Sequence, residues 1–245
     1  MNKKRTTFDV IIIGGGLAGL CSAIHLSKFS KKVLLIEKNS YPKHKVCGEY
    51  ISNEVLPYFE YLAINPFHFG AVKIENFQLS TISNKLISAK LPLGGFGISR
   101  HKLDAILAEK AKENGVIILQ DSVLNVNFLK DTFKVETKEN GFFTSKISIG
   151  AFGKRSLLDV KMNRDFIQKK SPYLGVKIHV KGSFKENVVA LHNFKGGYCG
   201  VSKVENNAIN LCYITDFSSF KKYKNIHDFQ EKRFLKTLKR FLKAL

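Results

Sequence analysis

A glycine-rich turn separates two apolar segments near the start of the chain. Residues 9–13, DVIII, form a short β-branched run that predicts a buried parallel strand, and residues 32–37, KVLLIE, predict a second strand that ends in the carboxylate of Glu37. Between them, apolar residues recur at helical spacing, which predicts a helix with one face packed on a sheet. The turn consists of Gly14, Gly15, Gly16, Leu17, Ala18 and Gly19. This order of strand, Gly-x-Gly-x-x-Gly, helix, strand and acid is typical of a dinucleotide-binding unit.

Each part of the pattern has its own physical role. Gly14 permits a tight turn, Gly16 lets the backbone approach a pyrophosphate, and Gly19 lets the helix and strand pack closely. The pyrophosphate would lie at the helix N-terminus, where free N–H groups and the helix dipole favour an anion. Glu37 can accept hydrogen bonds from a ribose diol and would repel a 2′-phosphate, which disfavours NADP at this site. The alternative is a structural glycine turn without a ligand.

Composition narrows the class of protein. The chain has 245 residues, of which 44% are hydrophobic and 11% aromatic, as in a globular protein of one or two domains. Its formal net charge of +20 comes mainly from Lys, since only six of the 40 basic residues are Arg. Lys spread along the chain suits solubility better than base recognition, and no nucleic-acid-binding motif is present. We therefore expect no nucleic-acid partner.

The four cysteines do not form a metal-binding or disulfide framework. Cys21, Cys47, Cys199 and Cys212 make no Cys-x-x-Cys pair, so we expect no metal site. The N-terminal residues resemble a signal peptide, but Leu20 stands where a lipoprotein cleavage site needs a small residue. Apolar runs are too short to span a bilayer. We expect reduced thiols and a cytoplasmic location, with peripheral contact at the inner membrane face as an alternative.

Four further segments carry a family resemblance. They are residues 45–49, KVCGE; residues 97–100, GISR, which open an amphipathic helix; residues 149–156, IGAFGKRS, at the end of a strand; and residues 196–203, GGYCGVSK. Together with the glycine turn they resemble the flavoproteins built like p-hydroxybenzoate hydroxylase, especially the geranylgeranyl-reductase-like oxidoreductases. The resemblance covers most of residues 8 to 215 and favours FAD over NAD as the cofactor.

The resemblance implies a fold and a set of site residues. The fold is α/β, with a Rossmann-like FAD-binding domain interleaved with a β-rich substrate domain. The turn of Lys45, Cys47 and Gly48 is implied to lie beside the flavin, with Cys47 as the catalytic candidate; the alternative is that Cys47 is a small buried apolar residue. The remaining implied FAD contacts are Lys38 after the second strand, Arg100 at the helix start, Val123 at the adenine, and Gly153.

The sequence departs from this family in three places. Aromatic hydroxylases carry Asp before the glycine near residue 153, where this chain has Phe152, which weakens the case for direct reduction by NAD(P)H. Prenyl reductases carry a Tyr-x-Trp-x-Phe-Pro element, but this chain has no Trp. A later Gly-Asp motif that holds the ribityl chain of FAD has no counterpart, so we expect the chain to be truncated at its C-terminus.

The predicted organisation follows from hydrophobic periodicity and turn residues. We assign residues 8–72 and 97–157 to the FAD-binding domain and residues 73–96 and 172–216 to the substrate domain. Residues 226–245 predict a basic amphipathic helix, which either packs on the core or lies on a membrane surface.

These observations predict an FAD-dependent oxidoreductase. It would be a reductase or a monooxygenase acting on a small molecule, with a lipid or a polyketide-like compound as options and NAD(P)H as a possible electron donor. The alternative is an FAD-binding or inert fragment without catalysis. The sequence leaves the oligomeric state open.

Overall fold

The computed structural model describes residues 7–83, 85–154 and 156–234, with the side chains of 233 and 234 left out, and it divides the chain into two compact units. The first unit comprises Met1–Lys43 and His101–Lys170, and the second comprises His44–Arg100 and Ser171–Leu245. The chain therefore passes from one unit to the other three times. Each unit is built around its own sheet.

The helices and strands alternate along the chain in a mixed α/β order. The strands are β1 (Thr7–Ile13), β2 (Val33–Glu37), β3 (Tyr50–Ser52), β4 (Val72–Ser80), β5 (Leu86–Gly97), β6 (Ile117–Gln120), β7 (Val123–Leu129), β8 (Thr132–Thr137), β9 (Phe142–Gly150), β10 (Tyr173–Val180), β11 (Val188–Phe194), β12 (Gly197–Lys203) and β13 (Ile209–Asp216). The helices are α1 (Leu17–Ser27), α2 (Leu56–Tyr61), α3 (Arg100–Glu113), α4 (Leu157–Lys161), α5 (Phe217–Phe220) and α6 (Ile226–Phe229).

The first unit has a six-stranded sheet in the order β6-β2-β1-β9-β8-β7. β1 is parallel to both β2 and β9, and β2 is parallel to β6, whereas β7, β8 and β9 form an antiparallel meander. β2 is buried at every position, as expected for a parallel strand covered on both faces. Helix α1 buries Leu20 and Ile24, and α3 buries Leu103 and Leu107, which accounts for the apolar residues at helical spacing.

The second unit has a seven-stranded, mainly antiparallel sheet in the order β10-β13-β12-β11-β4-β5-β3. β11 and β4 are its parallel neighbours. Burial alternates along β11 and over much of β13, because successive side chains point to opposite faces of the sheet. One face packs the core of this unit, which includes Leu211, Tyr213 and Phe229. The opposite face carries the residues discussed below.

Most of the predicted elements are present, and the fold class is confirmed. Alternation and turn residues predict a three-stranded meander near residues 122–128, 132–138 and 143–149, a helix over residues 100–114 and four strands within residues 172–216. All of these elements occur close to those limits. The first division between the units differs from the expected one: it falls at Lys43–His44 and not near residue 72. The reason is β3, which pairs with β5 and so joins the segment after β2 to the second sheet.

The described part of the C-terminal segment packs on the second unit. α6 is followed by a π-helical turn at Gln230–Phe234. Phe229 is fully buried, and its ring lies 6.0 Å from that of Tyr213. Residues 235–245, which carry most of the predicted amphipathic helix, lie outside the described residues. Within the described chain, no helix combines the length and the apolar character needed to cross a membrane.

Candidate functional site

The glycine turn of the first unit is packed too tightly for side chains. Gly14 has φ of +105°, and a Cβ atom there would lie 2.6 Å from the Cα atom of Phe152. A Cβ atom at Gly19 would overlap the carbonyl oxygen of Gly14. Gly14 and Gly19 therefore have the tight-turn and close-packing roles that the sequence pattern predicts.

Helix α1 begins at this turn with free capacity for an anion. Its N-cap residue is Gly16, which has an extended backbone, and in the described residues no side chain caps the helix. The first turn also has no acidic residue that would repel a negative group. Leu17 is partly exposed here, and Ala18 is exposed. The free N–H groups and the helix dipole fit a pyrophosphate at this position.

Glu37 is held at the end of β2, beside the glycine turn. Its side chain is buried, Oε2 accepts a hydrogen bond from the Gly15 N–H at 2.7 Å, and Oε1 accepts from the Asn39 N–H at 3.0 Å and pairs with Lys43 at 2.5 Å. Burial raises the pKa of the Glu37 carboxyl, but hydrogen bonds from Lys43, Gly15 and Asn39 outweigh it, so the pKa is lowered overall. An ionised carboxylate offers about four acceptor positions, so Oε2 keeps capacity for a ribose hydroxyl.

Two residues that sequence reasoning missed complete this region. The Tyr41 hydroxyl donates to the Gly15 carbonyl at 2.6 Å, and the Lys43 ammonium lies 5.2 Å from the centre of the Tyr41 ring. A Cβ atom at Gly15 would overlap the Tyr41 hydroxyl. The sequence feature that could have identified Tyr41 and Lys43 is their position, since both follow Glu37 within six residues.

A cavity of about 260 Å³ opens beside Glu37. Lys38, Val123 and Phe152 line it, and Asp121 lies at its wall. The buried carboxylate of Asp121 accepts hydrogen bonds from the backbone N–H groups of Ser122, Glu139 and Asn140, which fixes the turn next to the cavity. The structure therefore places Glu37, Lys38 and Val123 at one cavity. The cavity, the glycine turn and the uncapped helix together fit the adenosine diphosphate half of a dinucleotide.

The remaining predicted residue of the first unit is Gly153, which has few close neighbours. Gly153 follows β9 with φ of +71°, and a Cβ atom there would meet nothing within 4 Å. Its neighbours Phe152 and Lys154 line the cavity. Phe152 also packs against the core of the first unit, which agrees with its apolar character.

The second unit contains the turn of Lys45, Cys47 and Gly48. Cys47 is half-buried, Gly48 is exposed, and both line an apolar cavity of about 540 Å³. Cys47 is thus not a core residue of the unit. Most of the other lining residues come from the sheet face opposite the core, with Val46 from the turn itself and Val201 from the core. They are Val46, Tyr50, Phe77, Leu91, Gly175, Val189, Leu191, Tyr198, Gly200, Val201, Cys212 and Ile214.

A buried charge cluster lies next to this turn and was not predicted. Glu49 is 1% exposed; its Oε1 pairs with Lys177 at 2.6 Å, and its Oε2 contacts His179 Nε2 at 2.6 Å. The Arg100 backbone N–H donates to Glu49 Oε1 at 2.8 Å, so the predicted site residue Arg100 also belongs to this cluster. Glu49 stands in the KVCGE segment, but its partners come from β10, more than 120 residues away. The sequence signal for these two partners was limited to their spacing, which places Lys177 and His179 on the same face of a strand.

Comparison with known proteins gives a family match in the N-terminal part of the chain. Residues 9–48 match the family model described as FAD dependent oxidoreductase. This range covers the glycine turn, Glu37 and the Cys47-Gly48 turn.

Two relatives illustrate the range of similar proteins. An FAD-dependent monooxygenase of Penicillium canescens is 26% identical over 170 residues, which are 64% of this chain and 36% of the relative. Digeranylgeranylglycerophospholipid reductase 2 of Methanothermobacter thermautotrophicus is 27% identical over 119 residues, which are 47% of this chain and 30% of the relative. The chain therefore spans about a third of the length of these two relatives.

Solved structures share the fold over nearly the whole chain. A flavin-dependent brominase superposes with a TM-score of 0.77 at 19% identity, covering 97% of this chain and 64% of the brominase. A geranylgeranyl bacteriochlorophyll reductase-like protein from Thermoplasma acidophilum superposes with a TM-score of 0.74 at 19% identity, covering 98% and 62%.

The chain therefore has the same two-unit fold as these flavin-dependent proteins. Its resemblance to the FAD-dependent oxidoreductases, including geranylgeranyl-reductase-like and monooxygenase members, is confirmed.

Proposed function

We propose that this chain binds FAD and acts in an FAD-dependent oxidoreductase whose substrate is an apolar small molecule. The observation that carries the proposal is the cavity lined by Gly14 and the buried Glu37, with the uncapped N-terminus of α1 directly after the glycine turn. Free backbone N–H groups would bind the pyrophosphate, and Glu37 Oε2 would accept a hydrogen bond from the ribose. The Val123 backbone would meet the adenine, and Arg100 would contact the phosphates or the ribose, with Lys38 and Gly153 as further contacts.

The proposed chemistry is oxidation or reduction, as a reductase or a monooxygenase. FAD, when bound, supplies hydride transfer or oxygen activation, and the chain supplies binding, orientation and exclusion of water. The Cys47 thiol, at the wall of the apolar cavity, would hold a proton near the reacting atoms. Lys45 and Gly48 would shape the turn that the resemblance places beside the flavin.

The cavity of the second unit supports an apolar substrate. Its lining is mainly aliphatic and aromatic, and the polar groups are the thiols of Cys47 and Cys212 and the hydroxyls of Tyr50 and Tyr198. Burying hydrocarbon against such a surface is favourable, and the surface offers few partners to a charged substrate. Lipids and polyketide-like compounds have this chemistry.

NAD(P)H is the proposed electron donor. This part of the proposal rests on the resemblance, and the apolar Phe152 at the position of the hydroxylase Asp argues for a donor site elsewhere. Stopped-flow reduction of the FAD-loaded chain by NADH and by NADPH, with dithionite as the reference reductant, measures it directly. Reduction by dithionite alone would remove nicotinamide donors from the proposal.

Peripheral membrane contact is a separate proposal, supported by the basic and apolar residues that alternate at helical spacing over residues 226–245. Co-sedimentation with anionic and neutral vesicles tests it. Binding to anionic vesicles that decreases with salt is expected, and equal recovery with neutral vesicles would contradict an electrostatic contact.

FAD titration tests the cofactor site. Gly16→Val should abolish binding, because the new side chain occupies the path of the pyrophosphate. Glu37→Ala should weaken binding by about 1–3 kcal/mol, the size of a lost hydrogen bond to a charged group. The matched control is Glu113→Ala, which removes an exposed carboxylate at the end of α3 in the same unit. Equal affinity of Gly16→Val and the unmodified chain would show that the site is assigned wrongly.

A further inference from the structure

The turn of Cys47 and Gly48 is clamped to the sheet face that bears the apolar cavity. Asn210 Nδ2 donates to the Gly48 carbonyl at 2.8 Å and to the Cys47 carbonyl at 3.3 Å. The Glu49 N–H donates to Cys47 Sγ at 3.4 Å. Since Asn210 and Cys212 lie on the same face of β13, the clamp sets the turn next to the thiol of Cys212.

Glu49 holds the other end of the turn in an unfavourable backbone conformation. Its φ is +54°, in the left-handed region that a residue with a side chain rarely adopts, and such strain persists only where surrounding contacts enforce it. The contacts are those of its carboxylate with Lys177, His179 and the Arg100 N–H, together with the Ile98 N–H, which donates to the Glu49 carbonyl at 3.1 Å.

The buried charges of Glu49 and Lys177 compensate each other. Lys177 is 6% exposed in its side chain, and Glu49 is fully buried, so each charge depends on the other for the stabilisation that water would otherwise give. His44 Nδ1 lies 3.4 Å from Lys177 Nζ, and its ring packs edge-on against that of His179. Removal of either Glu49 or Lys177 leaves the other as a buried, partly uncompensated charge.

We propose that Glu49 is a positioning residue: its buried carboxylate, paired with Lys177 and His179, fixes the orientation of Cys47 and Gly48 at the wall of the apolar cavity. This role rests on the proposed function, in which that turn faces the reacting groups. It is a role in placement, since Glu49 does not line the cavity.

Site-resolved alkylation of the full chain measures the placement of Cys47. With iodoacetamide and peptide mass spectrometry, Glu49→Gln should raise the alkylation rate of Cys47 at least tenfold, because the buried Lys177 ammonium loses its counter-charge and displaces residue 49 and the turn. Cys199 lies in the same unit, is 1% exposed and serves as the internal reference, whose rate should not change. The matched control is Glu54→Gln, an exposed carboxylate five residues along the chain.

A second variant separates charge pairing from general loosening. Glu49→Gln combined with Lys177→Met removes both buried charges and should return the Cys47 rate to within about threefold of the unmodified chain, because the substituted amide keeps an acceptor for the Arg100 N–H. An unchanged Cys47 rate in Glu49→Gln, an equal rise at Cys199, or a double variant as reactive as the single one would each overturn the proposal. FAD affinity in Gly16→Val serves as the separate readout of the proposed function: its loss there does not bear on Glu49, whose readout is the alkylation rate of Cys47.

Discussion

The two units hold a buried carboxylate in different ways. In the first unit, Glu37 is bound by Gly15, Asn39 and Lys43, of which Asn39 and Lys43 lie within six residues of it and Gly15 lies in the preceding turn. In the second unit, Glu49 is bound by Lys177 and His179 from β10, a strand far away in sequence. Glu37 lines the cavity of the first unit, where its Oε2 can accept from a ligand, whereas Glu49 does not line the cavity of the second unit and contacts protein partners. A recognition site thus arises from local chain geometry, and a positioning site from tertiary contacts.

The largest expected effect is the loss of protein stability when the lysine partner of Glu49 is removed. Lys177→Met should lower the free energy of unfolding by about 3–5 kcal/mol, because the Glu49 charge stays buried without its ammonium partner. Lys43→Met should cost about 1–2 kcal/mol, since Glu37 keeps hydrogen bonds from Gly15 and Asn39. Urea denaturation of both variants measures the contrast. Equal losses would mean that the two carboxylates depend on their lysines to the same extent.

Acid should destabilise the second unit at a higher pH than the first. Burial lowers the pKa of His192 from 6.5 to about 4, so the folded state resists protonation that the unfolded chain accepts. Stability should therefore fall as the pH drops from 6.5 towards 4, by roughly 3 kcal/mol in total. For Glu37, whose pKa is lowered from 4.5, the contribution is complete above pH 4.5 and is lost below it.

Amide hydrogen exchange over this pH range measures the stability of the two units separately. The His192→Asn variant should show a flatter pH dependence in the amides of β4 and β11 between pH 6.5 and 4. The Glu37→Gln variant should flatten the response of the first unit below pH 4.5 only. If β4 and β11 lose protection identically in His192→Asn and in the unmodified chain, His192 is not the titrating group.

The smallest contrast concerns two glycines. Gly14→Ala should cost more than about 2 kcal/mol, because its φ of +105° and the Phe152 backbone leave no room for a methyl group. Gly48→Ala should change stability by less than about 0.5 kcal/mol, since a Cβ atom there meets nothing within 4 Å. Thermal unfolding of the two variants gives the comparison, and a marked loss for Gly48→Ala would show that the second turn is as constrained as the first.

The sequence by itself determined the elements whose signals are local. The run from residue 9 to Glu37 predicts its strands, glycine turn and helix because each depends on periodicity and spacing within about 30 residues. The meander from Val123 to Gly150 and the strands after Tyr173 are likewise visible from alternation and turn residues.

Only the tertiary structure decided what lies beyond such local signals. The segment after Lys43 belongs to the second unit because β3 pairs with β5, and no local pattern in the sequence encodes that pairing. The partners of Glu49 lie on β10 because the second sheet places that strand next to β13, which carries Asn210. Hydrophobic periodicity states which face of a strand is buried, but not which distant strand supplies the residue opposite a charge.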